Sequence, residues 1–227
     1  MSMQIRQKDV IISADGEKIT VAEAGWDYSF KFTELEKELL PKLQDSDQSE
    51  TFKFFLNNYY SLMASCVVGD VPSAEEAFRM PRTYLDNWYL AVWELNEDII
   101  GKPYVKTLES EEVTFRDGNT IHIFKAEGLP SFIIKLVELE EYANKHPIED
   151  DPQGQLFQLM FYPKMAAACN GSTIPSAEEA RSWPRAELNK WMSASRRMNS
   201  EWYVTAQPEI EETNKKKERK GKKKLDG

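Results

Sequence analysis

The residue types that carry most enzyme chemistry are sparse in this chain. There are two histidines and two cysteines among 227 residues. His122 falls in an expected hairpin and His146 in a loop. Neither has the company of Cys, His or carboxylate side chains at metal-ligand spacing. Cys66 and Cys169 lack the neighbouring base or positive charge that would make a thiolate. Two lone cysteines read first as small buried apolar side chains, with a disulfide or a catalytic thiol as the other readings. Paired carboxylates could do general acid–base work, but Glu75-Glu76 are adjacent on a helix and diverge. Glu111-Glu112 and Asp150-Asp151 are expected on solvated turns. No phosphate-cradling glycine loop and no nucleophile-elbow pattern occurs. The expectation is a protein that is not an enzyme and uses no cofactor or metal. A carboxylate-only site is the enzymatic alternative.

What stands out instead is a stretch written twice. Residues 72–77 read Pro-Ser-Ala-Glu-Glu-Ala, and so do residues 175–180. A Pro-Arg pair follows each, Pro81-Arg82 and Pro184-Arg185. Aligned without gaps at an offset of 103, residues 54–96 match 157–199 at many positions, among them Phe54, Leu56, Tyr59, Cys66, Leu85, Trp88, Ala91 and Asn96. The two cysteines are themselves 103 apart, which places them at equivalent sites. The physics of the repeated stretch is local. Ser73 and Glu76, like Ser176 and Glu179, form an S-x-x-E capping box that satisfies free backbone donors at a helix start. The short helix stops before the proline, and that proline suits the first turn of the next helix.

The elements around it follow from periodicity. Val10 and Ile12, the Asp15-Gly16 turn, then Ile19 and Val21 predict a hairpin over 8–23. A helix is expected over 32–43, with Pro41 ending or kinking it. A strong helix spans 50–66, carrying Phe52, Phe55, Leu56, Tyr59, Leu62 and Met63. The helix from Pro81 to about 96 lines up Leu85, Trp88, Val92 and Leu95. The order then recurs. A hairpin turns at Asp117-Gly118, and a helix covers 130–145. Another covers 154–169, distorted at Pro163, and a last one starts near Pro184 with Leu188, Trp191, Met198 and Trp202. The expected fold is α+β and predominantly helical, a tandem duplication of a hairpin followed by about four helices. The repeats are residues 1–102 and 103–205, and 206–227 form a disordered lysine-rich tail.

Composition narrows the function classes. Hydrophobic residues make up 41% of the chain, enough for real cores. No apolar run is long enough for a membrane span, and Met1–Arg6 lacks an apolar signal core. The chain is expected to be cytoplasmic. The formal charge is −9, unevenly placed. Lys215, Lys216, Lys217, Arg219, Lys220, Lys222, Lys223 and Lys224 face only Glu218 and Asp226, so this segment is +6 and the body −15. Such a body repels a phosphate backbone, so nucleic acid is expected only through the tail. Partner-binding surfaces would use aromatics that lie off the main apolar stripes: Tyr60, Tyr89, Trp93, Trp183 and Trp202. The other reading for each is partial burial where the repeats meet.

The sequence resembles the tail assembly chaperones of long-tailed bacteriophages and related prophages. The resemblance rests on Val113-Thr114-Phe115-Arg116-Asp117-Gly118 in the hairpin and on Tyr60-Ser61-Leu62-Met63-Ala64-Ser65-Cys66. It continues through Gly69-Asp70-Val71-Pro72-Ser73-Ala74-Glu75-Glu76, Leu85-Asp86-Asn87-Trp88-Tyr89 and Leu95-Asn96. It covers most of each repeat. It implies a non-enzymatic protein of the bacterial host cytoplasm. Such a protein binds the tape-measure protein, keeps its helices from aggregating and helps recruit tail-tube subunits; self-association is also expected. The duplication departs from single-unit members. The Lys222-Lys223-Lys224 run also fits the frameshifting that gives many such chaperones a longer form, beside the plainer reading as a flexible basic tail. The competing function is a duplicated helical adaptor whose basic tail grips nucleic acid or an acidic partner.

Overall fold

The computed structural model describes residues 5–25, 27–100, 108–126, 128–170 and 174–203. The lysine-rich segment lies outside them. The protein is α+β and predominantly helical, with two small three-stranded sheets.

The first sheet pairs β1 (Gln7–Ile11), β2 (Lys18–Ala22) and β3 (Val67–Val68), all antiparallel. Gly16 holds φ +84° in the turn, a conformation costly for any residue with a Cβ. The chain continues through α1 (Tyr28–Gln44), which starts earlier than its apolar spacing suggests and runs through Pro41. The proline sits in the last turn, and its missing N–H removes one intrahelical hydrogen bond there. The next long helix is three pieces: α2 (Glu50–Phe55), a π-helical turn (Leu56–Tyr60) and α3 (Ser61–Ser65). Then come α4 (Ala74–Arg79), α5 (Arg82–Leu95) and the short α6 (Glu97–Ile100).

The second sheet is β4 (Ser110–Thr114), β5 (Thr120–Phe124) and β6 (Cys169–Asn170), in the same order and sense. Its helices are α7 (Pro130–Lys145), α8 (Pro152–Leu156), a π turn (Phe157–Phe161) and α9 (Tyr162–Ala167), then α10 (Ala177–Ser182) and α11 (Arg185–Met198). Pro163 directly follows the π turn, in the first turn of α9. The first π turn is followed by Ser61, whose Oγ donates to the Leu56 carbonyl at 3.3 Å.

Each half centres on a tryptophan with no exposed surface. Trp88 lies among Val21, Phe55, Leu56 and Met63, and Trp191 among Ile123, Phe132 and Met165. Both capping boxes are formed in full. Asn96 accepts from the Ala24 amide and donates to the Ala22 carbonyl, and Asn199 does the same with Ala126 and Phe124. These side chains tie the end of α5 or α11 to the strand beside it.

The matched hydrogen bonds correct the ungapped alignment. The Tyr60 hydroxyl donates to the Pro72 carbonyl, and the Tyr162 hydroxyl to that of Pro175. Val67 pairs with Val21 as Cys169 pairs with Ile123. These matching contacts lie 102 residues apart at the tyrosines and the third strand and 103 apart at Pro72 and Pro175. By the strand pairing, Val67 rather than Cys66 holds on β3 the place that Cys169 holds on β6.

Candidate functional site

The most heavily built polar cluster joins the two halves. The α5 helix starts at Arg82, whose position is fixed by Pro81 and the preceding capped turn. One turn later comes Asp86, fully buried. Arg82 Nε lies 3.5 Å from Asp86 Oδ2. Arg82 Nη1 donates to the carbonyls of Ala167 (3.0 Å) and Cys169 (3.1 Å), at the end of α9 and on β6. The guanidinium lies over the Phe124 ring, 5.3 Å from its centroid. Asp86 accepts from the Ser131 amide (3.1 Å) and hydroxyl (2.6 Å). It thereby caps α7, where a negative charge is favoured by free backbone donors. Burial pushes the Asp86 carboxyl above its ordinary value, while Arg82 and Ser131 pull it back; burial likewise lowers the Arg82 guanidinium. Arg82 Nη2 is buried without a hydrogen-bond partner. A cluster of this kind fixes geometry more than it adds stability.

Apolar packing surrounds the latch. Tyr59 and Tyr89 meet edge to face at 5.6 Å between the cores. Ile134 reaches from α7 into the first core. The α7 helix is thus sandwiched, with Phe132, Ile133, Ile134 and Leu136 buried, whereas α1 buries only Leu39.

A surface groove of about 850 Å³ runs between the first hairpin and α5. Ile11, Leu90, Trp93 and Leu108 supply its apolar lining, and Lys8 and Glu94 pair across it at 2.5 Å.

The aromatics expected at binding surfaces are not all exposed. Tyr60 is 5% exposed, because its ring packs in the first core and its hydroxyl needs the Pro72 carbonyl. Trp93 is 8% exposed and lines the groove. Tyr89 is half-buried where the halves meet. Trp183 is half-buried, 4.6 Å from Phe115 and 5.9 Å from Trp191 between ring centroids, and borders two surface clefts beside the second hairpin. The side chain of Trp202 and the basic residues Lys215, Lys216, Lys217, Arg219, Lys220, Lys222, Lys223 and Lys224 lie outside those described. The five aromatics are therefore not brought together.

Both cysteines are free and buried. Burial pushes the Cys66 thiol up to about 11 and that of Cys169 up to about 12, which keeps them protonated at neutral pH. Cys169 Sγ accepts from Trp191 Nε1 at 3.2 Å. Val67 stands in its place in the first half, and Trp88 Nε1 has no hydrogen-bond partner there. Among the described residues, no group of three or more Cys, His or carboxylate side chains could hold a metal ion, and no helix is long and apolar enough to cross a membrane.

Sequence reasoning missed Arg82, Asp86 and Ser131. The signal available was the repeated Pro-Arg pair followed by Asp in one case and Asn189 in the other. No protein-family model matches this chain, and no curated protein or solved structure matches it.

Proposed function

We propose that the chain is a tandem duplication, residues 1–102 and 103–205 followed by the basic segment 206–227. In this reading it is a non-enzymatic tail assembly chaperone of a long-tailed bacteriophage, acting in the host cytoplasm. Its partners are the tape-measure protein, whose helices it shields, and the tail-tube subunits it helps recruit. Matched side-chain roles support the duplication: Asn96 with Asn199, Tyr60 with Tyr162, Trp88 with Trp191 and the two capping boxes. One observation supports a binding role above others. The groove between the first hairpin and α5 is open, apolar at its floor and charged at its rim, with Ile11 48% exposed at its edge. Such a groove suits the apolar face of an amphipathic helix. The choice of partner comes from the family resemblance.

The test is co-expression with a large helical protein of the tape-measure class. The wild-type chain is expected to bring that protein into the soluble fraction. Ile11→Lys, a change at an exposed position, is expected to abolish this without unfolding the chaperone. A partner equally insoluble with and without the wild-type chain overturns the proposal.

A further inference from the structure

The latch between the halves is used once, and both of its components occur twice. In the second half, Arg82 fills a site made by the Phe124 ring and the Ala167 and Cys169 carbonyls, and Asp86 accepts from the Ser131 amide and hydroxyl. The corresponding positions in the first half are Ala22, Ser65, Val67 and Ser29. Ala22, Ser65 and Val67 line a cleft of about 110 Å³, together with Asp27, Tyr28, Lys31 and Cys66. At the position matching the Phe124 ring, this cleft is lined by Ala22. Beside it stand Ser29, exposed, and Phe30, 63% exposed at the start of α1. Phe132, at the matching position of α7, is fully buried.

The other component is also open. Arg185, the counterpart of Arg82, begins α11 and is exposed, as is Asn189, the counterpart of Asp86. The Leu90 and Trp93 positions are taken by Ser193 and Arg196, both exposed. The face is basic and polar where its α5 counterpart is apolar. The first-half cleft carries Glu23 and Asp27, with Glu34 and Glu38 further along α1. Glu23 is paired with Arg6 and Asp27 with Lys31, in exposed ion pairs that an incoming guanidinium can displace.

We propose that a second copy of this chain occupies the cleft. Arg185 of one copy enters the first-half site of the next, and Asn189 caps α1 at Ser29, repeating the contact that joins the halves within one chain. This goes beyond the chaperone reading and does not depend on it. The occupant is argued from the repetition of an existing interface and from the opposite charge of the two faces. Joining is head to tail, so each added copy leaves one donor face and one acceptor cleft free, giving short chains or a ring. Because Asn189, Ser193 and Arg196 replace the buried and apolar groups of α5, the contact is weaker than the internal one and sensitive to salt.

The experiment is sedimentation velocity on the full chain over a wide concentration range in low and high salt. The wild type is expected to associate as concentration rises and to dissociate in high salt. Arg185→Glu lacks the donor, Ser29→Arg blocks the acceptor, and each alone is expected to weaken association at least about tenfold. Mixed, the two retain one good donor and one good acceptor and are expected to form one-to-one dimers and nothing larger. Circular dichroism checks that both variants fold. A wild type monomeric at every concentration overturns the proposal and leaves the cleft to a foreign helix. Association undiminished by Arg185→Glu, or a mixture that stays monomeric, overturns it too.

Discussion

The helices α5 and α11 begin alike and end in different surroundings. Each starts on the arginine of a Pro-Arg pair, buries a tryptophan at its centre and is tied to a sheet by a terminal asparagine. Yet the arginine of one is in the interior and that of the other is on the surface. The difference lies in a few outward positions: Asp86 against Asn189, Leu90 against Ser193, Trp93 against Arg196. Both helices keep the buried tryptophan and the terminal asparagine, while Leu90 packs against the second core and Ser193 is exposed. A helix fold is thus set by its inner stripe, and its use as an interface by the outer one.

The comparison can be broken experimentally, beginning where the expected effect is greatest. Arg82→Ala leaves a buried carboxylate without its cation and should cost about 3–5 kcal/mol in urea unfolding. That cost depends on pH with a definite sign. Losing Arg82 raises the folded-state value of Asp86 further, so the folded protein takes up a proton more readily than the unfolded one. The cost should be smaller at acid pH and grow as pH rises through the folded value. A cost independent of pH would mean that Asp86 is not the group left stranded.

The indole contacts give the next largest contrast. Cys169→Ala removes the acceptor for Trp191 Nε1 and should cost about 1–3 kcal/mol. Cys66→Ala, whose Sγ is only a distant acceptor for Asn96 at 3.7 Å, should cost less. Both thiols should resist alkylation at mildly alkaline pH until the protein is denatured, in keeping with their raised values. Rapid labelling of either in the native protein would contradict the burial.

The capping boxes predict sameness rather than difference. Ser73→Ala and Ser176→Ala should each lower stability by about 1 kcal/mol. A loss at one site alone would show that the two turns are not held the same way. Arg185→Ala, at an exposed position, should change the stability of the monomer by less than about 0.5 kcal/mol.

Much of this was legible from the residues. The capping boxes, the Asp-Gly turns and the Trp88 and Trp191 stripes are local patterns, and local physics decides them. The register before the third strand was not. A helix presents similar residues at neighbouring positions, so a one-residue slip in residues 54–66 still finds matches such as Cys66 with Cys169. Only hydrogen-bond partners distant in sequence fix the offset. The burial of Tyr60 and Trp93 has a related reason. An aromatic that leaves one apolar stripe can enter a second contact, and a tyrosine hydroxyl can be satisfied by a carbonyl twelve residues away. The Arg82 latch was invisible because its partners, Ser131 donating to Asp86 and the Ala167 carbonyl accepting from Arg82, belong to elements more than forty residues away.

The central claim is that Arg82 and Asp86 act as a buried unit joining the halves while Arg185 and Asn189 do not. It is tested most directly by two double-mutant cycles read by equilibrium unfolding. Alanine substitutions at Arg82 and Asp86 are expected to show a coupling of about 1–3 kcal/mol, and those at Arg185 and Asn189 a coupling within about 0.5 kcal/mol of zero. Equal couplings in the two cycles would contradict the account.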